Sequence, residues 1–387
     1  MAEAGIRGVP ANYGGSETAV EEIGTRLAQE GVDVVVYCRS HMSPNRDPEY
    51  RGMRRIVLPS IPTFRLDTVS HSLVATLHLA ARNTADVIHF HGMGNALFLP
   101  LVKLAGKRSV VTIDGPDWER PKWDSFAQRV LRFSARLAVH LADHLIIDNH
   151  PSVDYFQREF GLLDGNFTYI GYGANFDAPA ETNEVEALGL EPRGYLLFVG
   201  ALQSDKAPDV VIDAYRKVKG DMPLVIVGDS PFQPEYGKAV RAAAARDDRV
   251  RMLGYVYGDA YRQLVANAYA YVHPLRKEGT SPALLQAMAY SNCIVSSNLA
   301  ETAAVVGDAA LVFELDDTDD LARQLERVLA DPDLVETMRE KAVARVRAEY
   351  DWDDVASAHR RVYEGVLAKH RRRDQVTSRL LRRREQQ

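Results

Sequence analysis

Short apolar runs alternate along this chain with longer segments whose apolar positions recur every three or four residues. The short runs read as strands and the longer segments as helices. In the first half the pattern predicts strands at 33–38, 54–58, 86–90, 109–113, 144–147 and 167–170, with helices at about 17–30, 70–83, 122–142 and 151–160. The second half repeats it, with strands at 195–199, 223–227, 250–253, 270–273, 293–297 and 310–313. Its helices are predicted at about 206–218, 235–246, 258–269, 281–290, 299–306, 318–330 and 334–349. Such alternation predicts parallel sheets covered on both faces. The stretch 173–194 is rich in Gly, Pro, Asn and Glu and lacks a long apolar run, so it reads as a linker. The fold class is therefore α/β, with one doubly wound domain over 1–172 and a second over 195–350. Ligands in such sheets bind beyond the carboxyl ends of the strands, and two domains facing each other would form a cleft. A last helical pattern, 352–369, follows Asp351 as a good N-cap and is expected to cross the domain junction. One segment departs from the pattern. Only Met1 to Ile6 precede the first loop, with Glu3 and Gly5 inside, where a doubly wound domain normally begins with a buried apolar strand. The first strand is weak or the start is shortened.

Length agrees with two domains, since 387 residues exceed one ordinary core. The apolar and charged fractions, 46% and 26%, belong to a soluble globular chain, and no stretch approaches the roughly 20 apolar residues of a membrane span. The N-terminus has neither a basic region nor an apolar core, which predicts a cytoplasmic protein. Cys38 and Cys293 then read as buried thiols in a reducing compartment. The net charge of −6 hides a basic tail, 370–387: from Lys369 to Arg384 there are eight basic residues and one acid. That tail meets anionic lipid or nucleic acid, or it is a solvated, frayed end. The 122–142 helix carries Arg129, Arg132, Arg136 and His140 in one stripe, beside Trp123, Phe126, Phe133 and Leu137. It reads as a core-packing helix with a solvated basic face or as one that rests on an anionic membrane.

Three loops carry candidate chemistry. The segment from Arg276 to Met288 follows the 270–273 strand and opens a helix, placing Glu278, Gly279, Thr280 and Ser281 at the junction. The first N–H groups of a helix have no internal partner and carry partial positive charge, so this junction suits phosphate or sugar oxygens. Thr280 or Ser281 can cap it, and Pro282 suits the first turn. The loop after the 195–199 strand runs from Gly200 to Pro208. Lys206 stands at the head of the next helix, where the dipole disfavours a cation unless an anion faces it. The first loop, Gly8 to Thr18, contains Gly14 and Gly15 before an amphipathic helix, an arrangement that cradles phosphate or admits a sugar. His91, just past the 86–90 strand, is a sugar or phosphate contact or a satisfied buried histidine; His89 reads as core. The acidic runs 316–320 and 351–354 precede helices and read as caps rather than metal sites, and no Cys/His cluster has metal spacing.

Together these segments resemble a known family. VGALQSDKAPDVVIDAY (199–215) resembles the VGRLxxxKGxDxLIxA segment of family 4 glycosyltransferases, enzymes of the GT-B fold with two Rossmann-like domains. HPLRKEGTSPALLQAMAYSNCIVSS (273–297) resembles their E-x7-E donor segment. Residues 5–39 resemble their N-terminal glycine loop, in the version of the bacterial rhamnosyltransferase-like subgroup, and ADVIHFHG (85–92) and VVTIDGPDWERPKW (110–123) fall in the expected order. The resemblance implies a glycosyltransferase that moves a sugar from a nucleotide-diphosphate sugar to a hydroxyl acceptor. No cofactor and no metal are expected, configuration at the anomeric carbon is retained, and the product enters cell-surface polysaccharide or glycolipid. By the same resemblance Lys206 grips the donor diphosphate and Glu278 approaches the sugar hydroxyls. Gly200, Gly279, Thr280 and Ser281 line the donor site, Gln286 reaches the ribose, and Gly14 and Gly15 lie near the diphosphate and acceptor. His91 and Asp114 contact sugar or acceptor.

Three departures bear on this reading. The family Arg is Ala201 here, with Arg276 and Lys277 as candidate replacements. The second Glu is Gln286. Asp114 stands where many relatives place a His near the sugar O6, which fits a 6-deoxy donor such as dTDP-rhamnose; Asp114 would also be the base of an inverting variant. The expected partners are the nucleotide sugar, a saccharide or polyprenyl-linked acceptor and an anionic membrane surface at the inner face, with no nucleic acid. The competing reading, motivated by Ala201 and Gln286, is a non-catalytic nucleotide-sugar-binding protein on the same fold.

Overall fold

The computed structural model describes residues 1–384 except 12–13, 64, 120–122, 231–232 and 278–279, with the backbone alone over 370–384. The chain divides into two compact units. The first holds Met1–Glu119, Trp123–Gly171 and the chain from Trp352 onward, and the second holds Tyr172–Asp351.

The first unit contains strands β1 (Ala2–Ala4), β2 (Val35–Arg39), β3 (Glu49–Tyr50), β4 (Met53–Leu58), β5 (Val87–His91), β6 (Arg108–Ile113), β7 (His144–Ile147) and β8 (Phe167–Tyr169). Their order in the sheet is β3-β4-β2-β1-β5-β6-β7-β8, parallel except for the β3–β4 hairpin. The chain fills one side from β1, then returns to fill the other from β5, so the topological switch lies between β1 and β5. The second unit contains β9 (Leu196–Val199), β10 (Leu224–Val227), β11 (Val250–Gly254), β12 (Ala270–His273), β13 (Cys293–Ser297) and β14 (Ala310–Phe313). Their order is β11-β10-β9-β12-β13-β14, all parallel, with its switch between β9 and β12. Crevices at such switch points are where α/β sheets bind ligands.

The period of two along each strand sorts side chains onto two buried faces. In β9, Leu197 joins one apolar core with Tyr271, Leu285 and Met288, while Leu196 and Phe198 join the other with Val272, Ile212 and Leu325. In the first unit Ala2 and Ala4 of β1 and Ile88 and Phe90 of β5 enter one apolar core. Glu3 and His89 point to the opposite face, where they are buried to 1% and 0% exposure.

β1 is the strand that the pattern of apolar residues left in doubt. It is a central strand, paired on both sides in register Ala2↔Val35 and Glu3↔His89. Its buried carboxylate is met by three side chains, one of them His89, whose Nδ1 lies 3.3 Å from Oε2. His91 Nε2 donates to Glu3 Oε2 at 2.7 Å, and the Tyr363 hydroxyl donates to Oε1 at 3.4 Å. Tyr363 accepts in turn from His89 Nδ1 at 2.8 Å, and His89 Nε2 meets Thr112 Oγ1 at 2.7 Å. Burial alone would raise the Glu3 pKa, but the charges and hydrogen bonds of His89 and His91 outweigh it and hold the carboxyl well below the usual range.

Two boundaries differ from expectation. Residues 173–194 are not a free linker: they belong to the second unit and contain a short helix, Asn183–Ala187, whose Val185 is fully buried in that unit's core. The last helix spans Trp352–Arg384, continuing through the segment read as a tail. Expected at the domain junction, it groups with the first unit. Trp352, Val355, Val362, Tyr363 and Val366 form its buried face, and Asp353 and Arg360 pair with Arg26 and Glu30 at 2.6 Å each. Cys38 and Cys293 are free and buried.

Candidate functional site

In the second unit the candidate donor residues gather at the β9/β12 switch. The loop after β9 begins at Gly200 and is stitched to the loop after β10: Gly200 N donates to Val227 O (3.0 Å), Leu202 N to Asp229 O (2.9 Å) and Ser204 N to Gln233 Oε1 (2.9 Å). Gly228 makes this contact feasible. Its φ is +136°, and a Cβ there would lie 1.9 Å from Gly200 O, so only glycine fits. Sequence reasoning passed over Gly228, whose one signal is a glycine directly after a buried strand.

Lys206 sits two residues before the Pro208–Tyr215 helix, half-buried, with its N–H on Gln203 O at 3.0 Å. Ala207 follows in the left-handed region (φ 51°), where the family pattern has Gly, and its methyl is fully buried. The loop after β12 is clamped to this turn by Arg276. Its N–H donates to Asp205 O (2.9 Å), Nη1 to Ser204 O (2.6 Å), Nη2 to Asp209 Oδ2 (3.1 Å) and Nε to Asp316 Oδ1 (2.5 Å). Arg276 therefore does not stand in for the cation missing at Ala201. It is a clip that brings the Lys206 loop and the 274–281 loop together.

Beyond the clip, Thr280 and Ser281 are buried at 4% and 6% exposure, at the start of the Pro282–Ala289 helix. Ser281 occupies the N-cap position in extended conformation, yet its hydroxyl makes no capping bond, against expectation. The first N–H groups of that helix are therefore not taken by the Ser281 hydroxyl. Glu278 and Gly279 lie outside the described residues. Gln286 lies on this helix, but both ends of its amide are taken by the main chain of Asn175: Nε2 donates to Asn175 O at 2.7 Å and Oε1 accepts from Asn175 N at 3.3 Å. In this geometry it tethers the chain entering the unit, and reaching a ribose would require breaking that pair.

In the first unit three candidate elements meet at the carboxyl edge of consecutive strands β1, β5 and β6. Gly14 is the extended N-cap and Gly15 the first residue of the Gly15–Gln29 helix. Two carboxylates of that helix hold the glycine loop: Arg7 N donates to Glu17 Oε1 (2.9 Å) and Ala11 N to Glu21 Oε2 (2.7 Å). A Cβ at Gly14 would lie 2.7 Å from Glu17 Oε2. Sequence reasoning missed Glu17 and Glu21; two glutamates four apart on one helical face were the available signal. His91 ends β5, and Asp114 follows β6, with register His91↔Thr112. Asp114 is half-buried and its carbonyl accepts from Asn149 Nδ2 at 3.4 Å. The His91 ring is largely buried with Nε2 committed to Glu3, so its other nitrogen, Nδ1, would have to make any ligand contact.

Among the described residues, the one group with three metal-ligating atoms within 4.8 Å is Glu3, His89 and His91. These atoms hydrogen-bond among themselves and to Tyr363, and the polar network accounts for them. The acidic run 316–320 acts as a cap: Asp317 accepts from the N–H groups of Asp319 and Asp320 at 2.9 Å.

Two family profiles match the chain, one over each half: a glycosyl transferase 4-like domain over residues 14–173 and glycosyl transferases group 1 over 193–331. Alpha-D-kanosaminyltransferase of Streptomyces kanamyceticus is 25% identical over 71% of this chain and 76% of its own. Alpha-maltose-1-phosphate synthase of Mycolicibacterium smegmatis is 26% identical over 93% and 97%. Among solved structures, sucrose-phosphate synthase of Thermosynechococcus elongatus superposes with TM-score 0.81 at 20% identity, covering 95% of this chain and 99% of that one. Anabaena HepE in complex with UDP-glucose gives 0.78 at 16%, covering 94% and 98%. The two profiles fall on the two parallel sheets just described, and the chain belongs to the family 4 glycosyltransferases of the GT-B fold.

Proposed function

We propose that the protein transfers a hexosyl residue from a nucleoside diphosphate sugar to a hydroxyl of a saccharide or polyprenyl-linked acceptor in cell-surface glycan synthesis. One observation carries the donor assignment: the Arg276 clip holds the Lys206 turn against the loop that leads to Ser281 and the N-terminus of the Pro282–Ala289 helix. A diphosphate placed there meets an ammonium and main-chain N–H groups, preorganised to stabilise the leaving group without a divalent ion. That HepE is solved with UDP-glucose supports a uridine or related nucleotide. Asp114 in place of the family His near O6 supports a 6-deoxy sugar of the rhamnose type.

The acceptor reading rests on Gly14, Gly15, His91 and Asp114 at the carboxyl edge of the first sheet. In the retaining course, the acceptor attacks on the face the leaving group departs from. The C1–O bond to the diphosphate breaks as the C1–O bond to the acceptor forms, and a phosphate oxygen takes the acceptor proton. Glu278 orients the sugar, and no enzymic nucleophile is required.

The test is incubation of the pure protein with a panel of nucleoside diphosphate sugars, with and without acceptors. Nucleoside diphosphate release and a glycosylated product are expected, with the anomeric configuration of the donor seen by NMR. Binding without transfer or hydrolysis across the panel would favour a non-catalytic binder. An inverted product would move the catalytic role from Glu278 to Asp114.

A further inference from the structure

The Asp67–Arg82 helix of the first unit carries apolar residues on its outward face as well as its inward one. Its buried face carries His71, Ser72, Ala75, Thr76 and Leu79. Its outward face carries Val69, Leu73 and Leu77, preceded by Leu66, and these four are 37% to 52% exposed. Their spacing of three, four and four makes them one stripe. Two of the buried polar side chains are paired in place: Ser72 Oγ donates to Asn95 Oδ1 and Thr76 Oγ1 to Ser72 O, both at 2.7 Å, while the ring nitrogens of His71 meet no hydrogen-bond partner among the described residues. Ala75 and Leu79 anchor the inner face in the apolar core, and the helix presents a second apolar stripe to the outside.

A second helix of the same unit, Ser125–Leu141, continues this surface. Its outward face interleaves Phe126 and Phe133, 68% and 54% exposed, with Arg129 and Arg136. No Asp or Glu lies between residues 125 and 142. Both helices pack against the helical segment 93–104, whose last residue, Leu104, is 84% exposed. Their heads are joined by Arg65 and Asp124 at 2.5 Å. Of the thirteen large apolar side chains most exposed among the described residues, eight lie on these elements and the loop before them. A concentration of that size marks a docking face rather than scattered surface residues.

We infer that the outward faces of the Asp67–Arg82 and Ser125–Leu141 helices form one docking surface for an anionic phospholipid bilayer. Phenylalanine and leucine would enter the headgroup–acyl boundary while the interleaved arginines meet lipid phosphates. Charge selects this occupant over a second copy: a two-fold contact through the same patch would set one arginine stripe against another. Both helices begin just after β4 and β6, at the sheet edge that carries Gly14, His91 and Asp114. Docking therefore holds that edge at the lipid surface. The inference stands on surface chemistry alone and does not depend on the donor assignment.

The test uses the full chain in vesicle flotation with phosphatidylglycerol/phosphatidylcholine and with pure phosphatidylcholine vesicles. Binding to the anionic vesicles is expected, at least tenfold stronger than to neutral ones and weakened by salt. The variant Leu73→Glu/Leu77→Glu alters exposed positions, so its thermal midpoint should match wild type while its anionic-vesicle binding falls at least tenfold. Arg129→Glu/Arg136→Glu should fall similarly. Wild-type-level binding by both variants would assign lipid contact to the basic C-terminal segment and overturn the inference. So would a concentration-dependent dimer that Leu73→Glu/Leu77→Glu dissolves, which would make the occupant a second copy.

Discussion

Tyr363→Phe tests how the first unit holds its shortest strand. The substitution removes one oxygen and keeps the ring, so packing of the last helix is conserved. The lost hydroxyl lies 2.8 Å from His89 Nδ1 and 3.4 Å from Glu3 Oε1, and all three groups are buried. Glu3 Oε1 loses its donor, and the His89 N–H is left with Glu3 Oε2, 3.3 Å away, in place of the nearer hydroxyl. A buried polar group left without its partner costs about 1–3 kcal/mol, so a destabilisation of about 2 kcal/mol is expected. With a urea m-value of about 2–3 kcal/mol/M, the unfolding midpoint should fall by roughly 0.8 M. The chain offers a selective probe: its three tryptophans, Trp118, Trp123 and Trp352, all belong to the first unit. Tryptophan fluorescence during urea unfolding therefore reads that unit alone. Combining the change with Glu3→Gln should give less than the sum of the two effects, because the groups share one network. A midpoint shift below about 0.2 M, or strict additivity with Glu3→Gln, would refute the claim that this network anchors β1.

Lys206→Ala should weaken nucleoside diphosphate binding about 10- to 100-fold in calorimetric titration, the worth of one charge-assisted contact, with an unchanged thermal midpoint. Gln286→Glu restores the family acid but loses the Nε2 donor to Asn175 and sets a carboxylate beside its carbonyl. It should destabilise the second unit by about 1–3 kcal/mol in thermal unfolding; higher nucleotide affinity without that loss would return Gln286 to the ribose. Burial pushes His71 and His144 down to about 4 and His359 to about 3. The unfolded chain therefore binds more protons between about pH 6.5 and 4, and first-unit stability, fully present above that window, falls as pH drops through it. Tryptophan-monitored urea midpoints at pH 7.5 and 5.0 should differ by the equivalent of about 2 kcal/mol per histidine, and equal midpoints would contradict the burial of these rings.

The strands of both sheets were legible because parallel strands buried on two faces must be apolar runs, and residues 144–147, 270–273, 293–297 and 310–313 coincide with the predictions. β1 was not legible because three residues with a central Glu carry no periodic signal; its anchors lie 88 and 360 residues away. Periodicity likewise revealed the Asp67–Arg82 helix but not which side faces inward, since a 3.6-residue repeat has no sign. The candidate loops were legible because glycine, small hydroxyls and lysine after apolar strands mark sheet edges. The partners of Arg276 and Gln286 were not, because Asp209 and Asn175 are 67 and 111 residues distant. A spare cation and a ribose ligand on sequence grounds became a clip and a tether once those partners arrived.

The same long-range stitching reaches the site. β1 runs directly into the glycine loop, and Gly5 at its end (φ +90°) packs so closely that a Cβ would lie 2.7 Å from His91 O. The Glu3 network therefore fixes the end of β5 and the start of the Gly14–Gly15 loop together. Tyr363 touches neither loop, yet it holds the strand from which one springs and, through His89, the strand that ends at His91. Loosening it should disturb the first-unit edge and leave the Lys206 turn, in the other unit, untouched. Tyr363→Phe is then expected to lower transfer at saturating donor while nucleoside diphosphate affinity stays at wild type. A loss of donor affinity equal to the loss of transfer would show that the two units do not divide the work in this way.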